Sequence, residues 1–219
     1  MSEHRVCLAT TQRAYQETPP EAMPYSDVFS LDAARRWSRE QIAAHAALLA
    51  RAGEQRADLA VAGEDIACLG YALMYLDDPS IFCTLVRETA AEAVHMLGQI
   101  AQRYQMHIVA SFFELAGGEI FNSAVLFARH GEVIGRYHKV HLPVYESWQV
   151  SAGDTFPAFE TDIGVVGMLI CYDDMWPESA AACALNGARI ICHPSAYSPP
   201  DYRVRTRAVD AQVFYITST

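Results

Sequence analysis

Short apolar strands alternating with amphipathic helical segments predict a mixed α/β chain built in packed layers. Two observations carry that expectation. A strand, helix, strand unit is complete by residue 62, and a second helix and strand repeat the pattern by residue 113. The composition, 52% hydrophobic and 19% charged over 219 residues, supplies a sizeable core and excludes a disordered or collagen-like chain. No linker, low-complexity stretch or charge block divides the chain, so residues 1–219 are read as a single domain.

The first strand is expected over residues 5–10, followed by a loop at Pro19, Pro20 and Pro24. Ile42, Leu49 and Ala52 share one face of a helix over 31–52, which leads into a strand over 58–62. Between 85 and 104, Ala90, Val94, Leu97, Ala101 and Tyr104 recur every three or four residues, and a strand over 107–113 follows. The runs 120–128 and 132–137 flank Arg129-His130-Gly131 and read as a hairpin. A strand over 165–170 runs into Cys171. A helix then begins at Trp176-Pro177-Glu178, with proline at its first position and a carboxylate beside the positive end of the dipole, and Asn186-Gly187 closes it. A strand over 189–192, a loop at His193-Pro194, a helix over 203–209 and a strand over 213–217 complete the order.

Sixteen basic against twenty-six acidic residues give a net charge of -10, which argues against a nucleic-acid or anionic-membrane surface and for a small-molecule partner. No apolar run suits a signal peptide or approaches the ~20 residues of a membrane span, so a cytoplasmic protein is expected. The six cysteines form no CxxC pair, and His138 and His141 lack HExxH spacing, so neither a disulfide framework, a metal site nor a cofactor is expected. Fifteen of the sixteen basic residues are arginine. The single lysine, Lys139, is either a survivor of that bias or a position that needs a compact ammonium with a movable pKa.

Cys171 ends an apolar strand just before a helix, where backbone N–H groups stabilise a thiolate or an oxyanion; it reads as a nucleophile or as a buried structural cysteine. Glu64 follows the strand ending at Ala62, at the end where α/β sheets present ligands, and reads as a general base or as part of a solvated turn. Lys139 follows the strand ending near Tyr137, where an ammonium can stabilise a developing oxyanion. A papain-like pairing of Cys171 with His138, His141 or His193 lacks the surrounding signature.

Three segments together resemble the nitrilase, or carbon–nitrogen hydrolase, superfamily. Ala62-Gly63-Glu64-Asp65 with Leu69-Gly70-Tyr71 is similar to its glutamate motif, with Gly63 in place of the usual proline. Tyr137-His138-Lys139-Val140-His141-Leu142-Pro143 is similar to its lysine motif, and Gly167 to Asp174, continuing to Pro177-Glu178, to its cysteine motif. The resemblance spans the chain from about residue 5 and implies a four-layer αββα sandwich, shortened at the C-terminus and missing its last strands. It implies a cysteine hydrolase releasing ammonia from a small amide or N-carbamoyl substrate, as a homodimer or higher homo-oligomer. Glu64, Lys139 and Cys171 would form the triad, Glu146 a supporting carboxylate, and the Tyr172 N–H part of the oxyanion site. Tyr172-Asp173 departs from the Trp-Glu of nitrilases, which leaves nitrile hydrolysis, or a non-catalytic binding relative, as alternatives. His193 and Arg203 are candidates for substrate binding, the arginine through a fork that suits a carboxylate.

Overall fold

The structure is a computed structural model in which residues 5–14, 16–72 and 75–219 are described. In chain order its elements are β1 (Leu8–Thr10), α1 (Leu31–Glu54), β2 (Leu59–Val61), α2 (Pro79–Tyr104), β3 (His107–Ala116), β4 (Glu119–Phe127) and β5 (Val133–His138). They are followed by β6 (Ala158–Thr161), β7 (Gly164–Met168), α3 (Pro177–Leu185), β8 (Ile190–Pro194), α4 (Asp201–Ala211) and β9 (Phe214–Ser218). One sheet has the order β1-β2-β3-β4-β5 and the other β6-β7-β8-β9. β1, β2 and β3 are mutually parallel, while β3, β4 and β5 form an antiparallel meander. In the second sheet β6 and β7 make a hairpin, and β7, β8 and β9 run parallel.

The two sheets stack face to face, with α1 and α2 covering the first and α3 and α4 the second, giving the αββα sandwich. The pleat divides each strand between two cores. In β2, Ala60 packs toward the helices while Leu59 and Val61 pack between the sheets. In β4, Val125 and Phe127 face the helices while Ala124 and Leu126 face the second sheet. Strands buried on both faces read as continuous apolar runs, which is why these segments carry no polar alternation. Each fully buried Leu or Ile of these layers contributes about 1.5–3 kcal/mol.

The differences from the sequence expectations have local causes. α2 starts at Pro79 rather than 85, because Asp78 accepts a hydrogen bond from Ser80 N at 3.1 Å and Pro79 takes the first helical position. β6 was not anticipated; it pairs with β7 through a turn in which Gly164 adopts φ +120°. His193 and Pro194, expected in a loop, continue β8, where they pair with Thr217 and Ser218 of β9. A 3-10 turn over Cys171–Met175 precedes α3, so the cysteine itself opens the helical segment.

β5 runs parallel to β3, since both are antiparallel to β4. The segments after β2, β5, β7 and β8 therefore emerge at the same end of the sandwich. That end carries Glu64, Lys139, Cys171 and Ser195.

Candidate functional site

Lys139 lies one residue beyond β5, 1% exposed, its backbone fixed by Lys139 N donating to Asn122 O and by Gly153 N donating to Lys139 O, both at 2.9 Å. Gly153 is required there, because a Cβ at that position would sit 2.2 Å from the His138 carbonyl oxygen. The ammonium donates to Glu64 Oε1 and to Glu146 Oε2, each at 2.7 Å. Glu146 is delivered by a short 3-10 turn over Glu146–Trp148. A buried cation is thus held between two carboxylates, with negative charge to spare.

Asn122 on β4 joins the same carboxylates from the other side. Its Nδ2 donates to Glu64 Oε1 at 2.9 Å and to Glu146 Oε1 at 2.6 Å, while its Oδ1 accepts from Ser111 Oγ at 3.0 Å. Every polar atom of the amide is used, which fixes its orientation. Glu64 Oε2 accepts from Ala196 N at 3.0 Å.

The Cys171 thiol lies beside the Glu64 carboxylate, near enough for each to shift the other's proton affinity. Burial alone would raise the Glu64 carboxyl, but the charge and hydrogen bond of Lys139, with the neighbouring Cys171 thiol and the bond from Asn122, outweigh it and hold the group below its ordinary range. Glu146, more weakly compensated, is raised by burial and by the charge of Glu64, against the pull of Lys139. Burial pushes the Cys171 thiol up to about 12, with the Glu64 charge adding to it and Lys139 opposing. For Lys139, burial works against the ammonium, yet the two carboxylates overcome it and raise the pKa. At neutral pH the proton therefore rests on sulfur beside an ionised carboxylate.

Cys171 has φ +45°, a left-handed conformation that is strained for any residue with a Cβ. The bend is over-determined by its surroundings. Asp173, fully buried, accepts from Ile170 N at 2.9 Å and Tyr137 Oη at 2.7 Å on one oxygen, and from His141 N at 3.0 Å on the other. His141 Nδ1 lies 2.9 Å from that second oxygen. His193, buried and expected to bind substrate, stands behind the cysteine instead. Its Nε2 bonds to the Cys171 carbonyl oxygen at 3.0 Å and its Nδ1 meets Thr217 Oγ1 at 3.0 Å, so both ring nitrogens are taken. Burial lowers its pKa, so the imidazole is neutral and Nε2–H is the donor to that carbonyl.

Tyr172 follows in the 3-10 turn, and among the described residues its N–H has no carbonyl partner. Arg203 on α4 pairs with Asp174 at 3.1 Å and donates to Tyr197 Oη at 3.0 Å; Tyr197 in turn donates to Asp174 Oδ1. The guanidinium thus braces the segment after the cysteine. Glu64, Lys139, Glu146 and Cys171 are brought together, with Tyr172 beside them, whereas His193 and Arg203 support the cysteine segment. Asn122 and Asp173 were missed by sequence reasoning. The available signal for Asn122 was a single amide within the otherwise apolar run of β4. Among the described residues no cluster of three or more His, Cys, Asp and Glu side chains is arranged to hold a metal ion, and no helix is long and apolar enough to cross a membrane.

Comparison with known proteins gives a consistent picture. Residues 24–219 match the carbon-nitrogen hydrolase family. A β-ureidopropionase of Arabidopsis thaliana is 34% identical over 178 residues, 72% of this chain and 43% of the relative. A probable hydrolase of Bacillus subtilis is 31% identical over 76% of this chain and 34% of its own length. The chain thus spans about a third to a half of the length of these curated relatives. Among solved structures, a carbon-nitrogen hydrolase from Helicobacter pylori superposes with a TM-score of 0.76 at 25% identity, over 97% of this chain and 72% of that one. An amidase from Nesterenkonia sp. gives 0.69 at 25% identity, over 100% and 78%.

Proposed function

The chain belongs to the carbon-nitrogen hydrolase family, and from that premise we propose that it cleaves a non-peptide C–N bond of a small amide or N-carbamoyl substrate through a covalent Cys171 intermediate. The observation that carries the proposal is the buried hydrogen-bonded chain Glu64–Lys139–Glu146 beside the Cys171 thiol, in which an ionised carboxylate faces the thiol and shares a buried ammonium.

Glu64 takes the thiol proton as sulfur attacks the carbonyl carbon, so that the charged thiolate forms only as it is consumed. The oxygen of the tetrahedral adduct is met by Lys139 Nζ and by the unpartnered Tyr172 N–H, donors already in place before charge develops. Glu64 passes its proton to the nitrogen, the C–N bond breaks, and ammonia leaves behind a thioester or S-carbamoyl enzyme. Water then gives a proton to Glu64 and its oxygen to the carbon, the C–S bond breaks, and the proton returns to sulfur. Glu146 and Asn122 keep Lys139 and Glu64 aimed throughout. His193, through the Cys171 carbonyl, holds the strained backbone that points the sulfur outward. The same family reading extends to assembly as a homodimer or higher homo-oligomer, for which sedimentation is the check.

The test is ammonia release from N-carbamoyl amino acids, N-carbamoyl amines, simple amides and nitriles, with a Cys171→Ala control. Release from an amide or N-carbamoyl compound, abolished in the control, is expected. Release confined to nitriles, or release that survives the substitution, would overturn the proposal.

A further inference from the structure

Asp65 directly follows the catalytic base, and Gly70 stands in the second half of the same motif, yet the chemistry above uses neither. The two are joined. Asp65 Oδ2 accepts from Gly70 N at 2.7 Å and Asp65 O accepts from Cys68 N at 2.8 Å, so the carboxyl draws residues 65–70 into a closed loop. Asp65 and Cys68 both stand at φ +51°, left-handed for residues with a Cβ, and such a conformation persists only where the bonds around it hold it. The loop is also tied to the site from beneath. Asp65 N donates to Ser111 Oγ at 3.4 Å, Ser111 Oγ donates to Asn122 Oδ1 at 3.0 Å, and Asn122 holds Glu64 and Glu146. The backbone that aims Glu64 is thus fastened on one side through Asn122 and on the other by the Asp65 carboxyl.

The second oxygen of that carboxyl, Oδ1, is buried, and among the described residues no cation lies within ion-pair distance of the group. The buried ammonium of Lys139 is already shared by Glu64 and Glu146. An ionised Asp65 would be a third carboxylate on a cluster that holds a single cation, and burying a charge without a partner is costly. The surrounding groups offer no relief. Arg13 and His45 line the same cavity of about 350 Å³ as Asp65, but the guanidinium is engaged by the side-chain oxygens of Gln41 and Gln16, and burial, with the Arg13 charge, lowers His45 to about 4 and leaves it neutral. Within the loop and just after it, Cys68 and Tyr71 are pushed up by burial, with the Asp65 charge adding to the rise, and stay uncharged. Burial pushes the Asp65 carboxyl itself up to about 7, and the charges of Glu64 and Glu146 add to the rise against the pull of the loop N–H groups. Up to neutrality the group is therefore the acid, with one oxygen accepting from Gly70 N and the other carrying the proton.

We propose that Asp65 is a positioning residue for Glu64 that works as a neutral acid: protonated, it closes the loop over 65–70 and keeps the base on Lys139; ionised, it is repelled by the two carboxylates, turns into the cavity and lets the loop open. The proposal rests on the hydrolase reading above and adds an alkaline limit to it. Activity falls above neutrality because a proton leaves a side chain that touches neither the substrate nor the sulfur.

The experiment follows kcat/KM from pH 6 to 8.5, for an amide that the parent hydrolyses, in the parent, Asp65→Asn and Asp65→Ala. Asparagine keeps an oxygen for Gly70 N and puts an amide that cannot ionise in place of the acid. Between pH 6 and 8.5 the parent should lose about tenfold or more, while Asp65→Asn changes by about twofold or less. Asp65→Ala cannot close the loop and should be slow at every pH, with the loss in kcat rather than KM. A parent that holds its rate to pH 8.5, or an Asp65→Asn enzyme that falls in parallel with it, overturns the proposal. Thermal unfolding gives a second readout that needs no turnover. The folded acid lies above its unfolded value of about 3.9, so its contribution is complete below that pH and is lost as pH rises toward 7. The Tm of Asp65→Asn relative to the parent should therefore climb from pH 5 to 8, and a constant difference overturns the buried acid. A climb beside a flat parent rate profile shows an acid with no hold on the base and overturns the positioning role. A climb without ammonia release from any amide or ureide supports the buried acid and refutes the hydrolase reading instead.

Discussion

Replacing Lys139 with Met keeps the stem of the side chain and removes its charge. Two carboxylates, each 2.7 Å from the vanished nitrogen and both almost fully buried, are then left facing one another with only Asn122 between them. Removing one partner of a buried ion pair costs about 3–5 kcal/mol. For a domain of this size each kcal/mol moves Tm by about 2–4 °C, so a fall of about 6–20 °C at pH 7 is expected. The pH dependence fixes the cause. In the parent, Glu64 lies below its unfolded value of about 4.3, so its contribution is complete above that pH and fades as pH falls through the folded value. In the variant, both carboxyls lie above that value, so the penalty is smallest near pH 4 and grows as pH rises. Thermal unfolding from pH 4 to 7 should show the two Tm curves diverging toward neutrality, and adding Glu146→Gln to Lys139→Met should recover part of the loss. A variant within about 2 °C of the parent at pH 7, or a gap independent of pH, would refute the account of a charge-locked site.

Because Glu64 is held below its ordinary range, kcat/KM for an amide should hold from neutrality to about pH 5 and fall only as Glu64 protonates; an acid limb centred near 7 would count against the ionised base. Asp173→Asn replaces one carboxylate oxygen with an NH2 and so places a donor against the N–H of either Ile170 or His141, and should lower stability by about 3 kcal/mol or more in denaturant unfolding; an unchanged midpoint would remove Asp173 as the fastener of the bend. Cys171→Gly should unfold at a higher temperature than Cys171→Ala, by about 1 kcal/mol, since glycine tolerates φ +45°; the reverse order would deny the strain.

The residues legible in the sequence were those whose type and spacing announce a reaction. Glu64, Lys139 and Cys171 each end a strand-like run, and the topology carries those strand ends to one end of the sandwich. Asn122 was not legible, because its role depends on the register that sets Ser123 opposite His138 and brings two distant carboxylates to one amide. His193 was misplaced for a related reason. A His-Pro pair reads locally as a loop, and only the parallel pairing of β8 with β9 shows the ring lying in the core behind Cys171. Arg203 reads as a surface cation on an amphipathic helix until the fold sets Asp174 against it. In each case the missing information was a long-range contact.

The single lysine of the chain sits under the site it serves, 1% exposed, with its proton held more tightly than in water. An amine-directed acylating reagent therefore reaches the lysine nitrogen only when the charged cluster comes apart. The labelling rate at Lys139 equals the fraction of time the cluster is open multiplied by the reactivity of a free amine, so mass spectrometry of one peptide measures local breathing at the heart of the site. Arginine elsewhere has left the protein with a built-in clock that only its centre can stop.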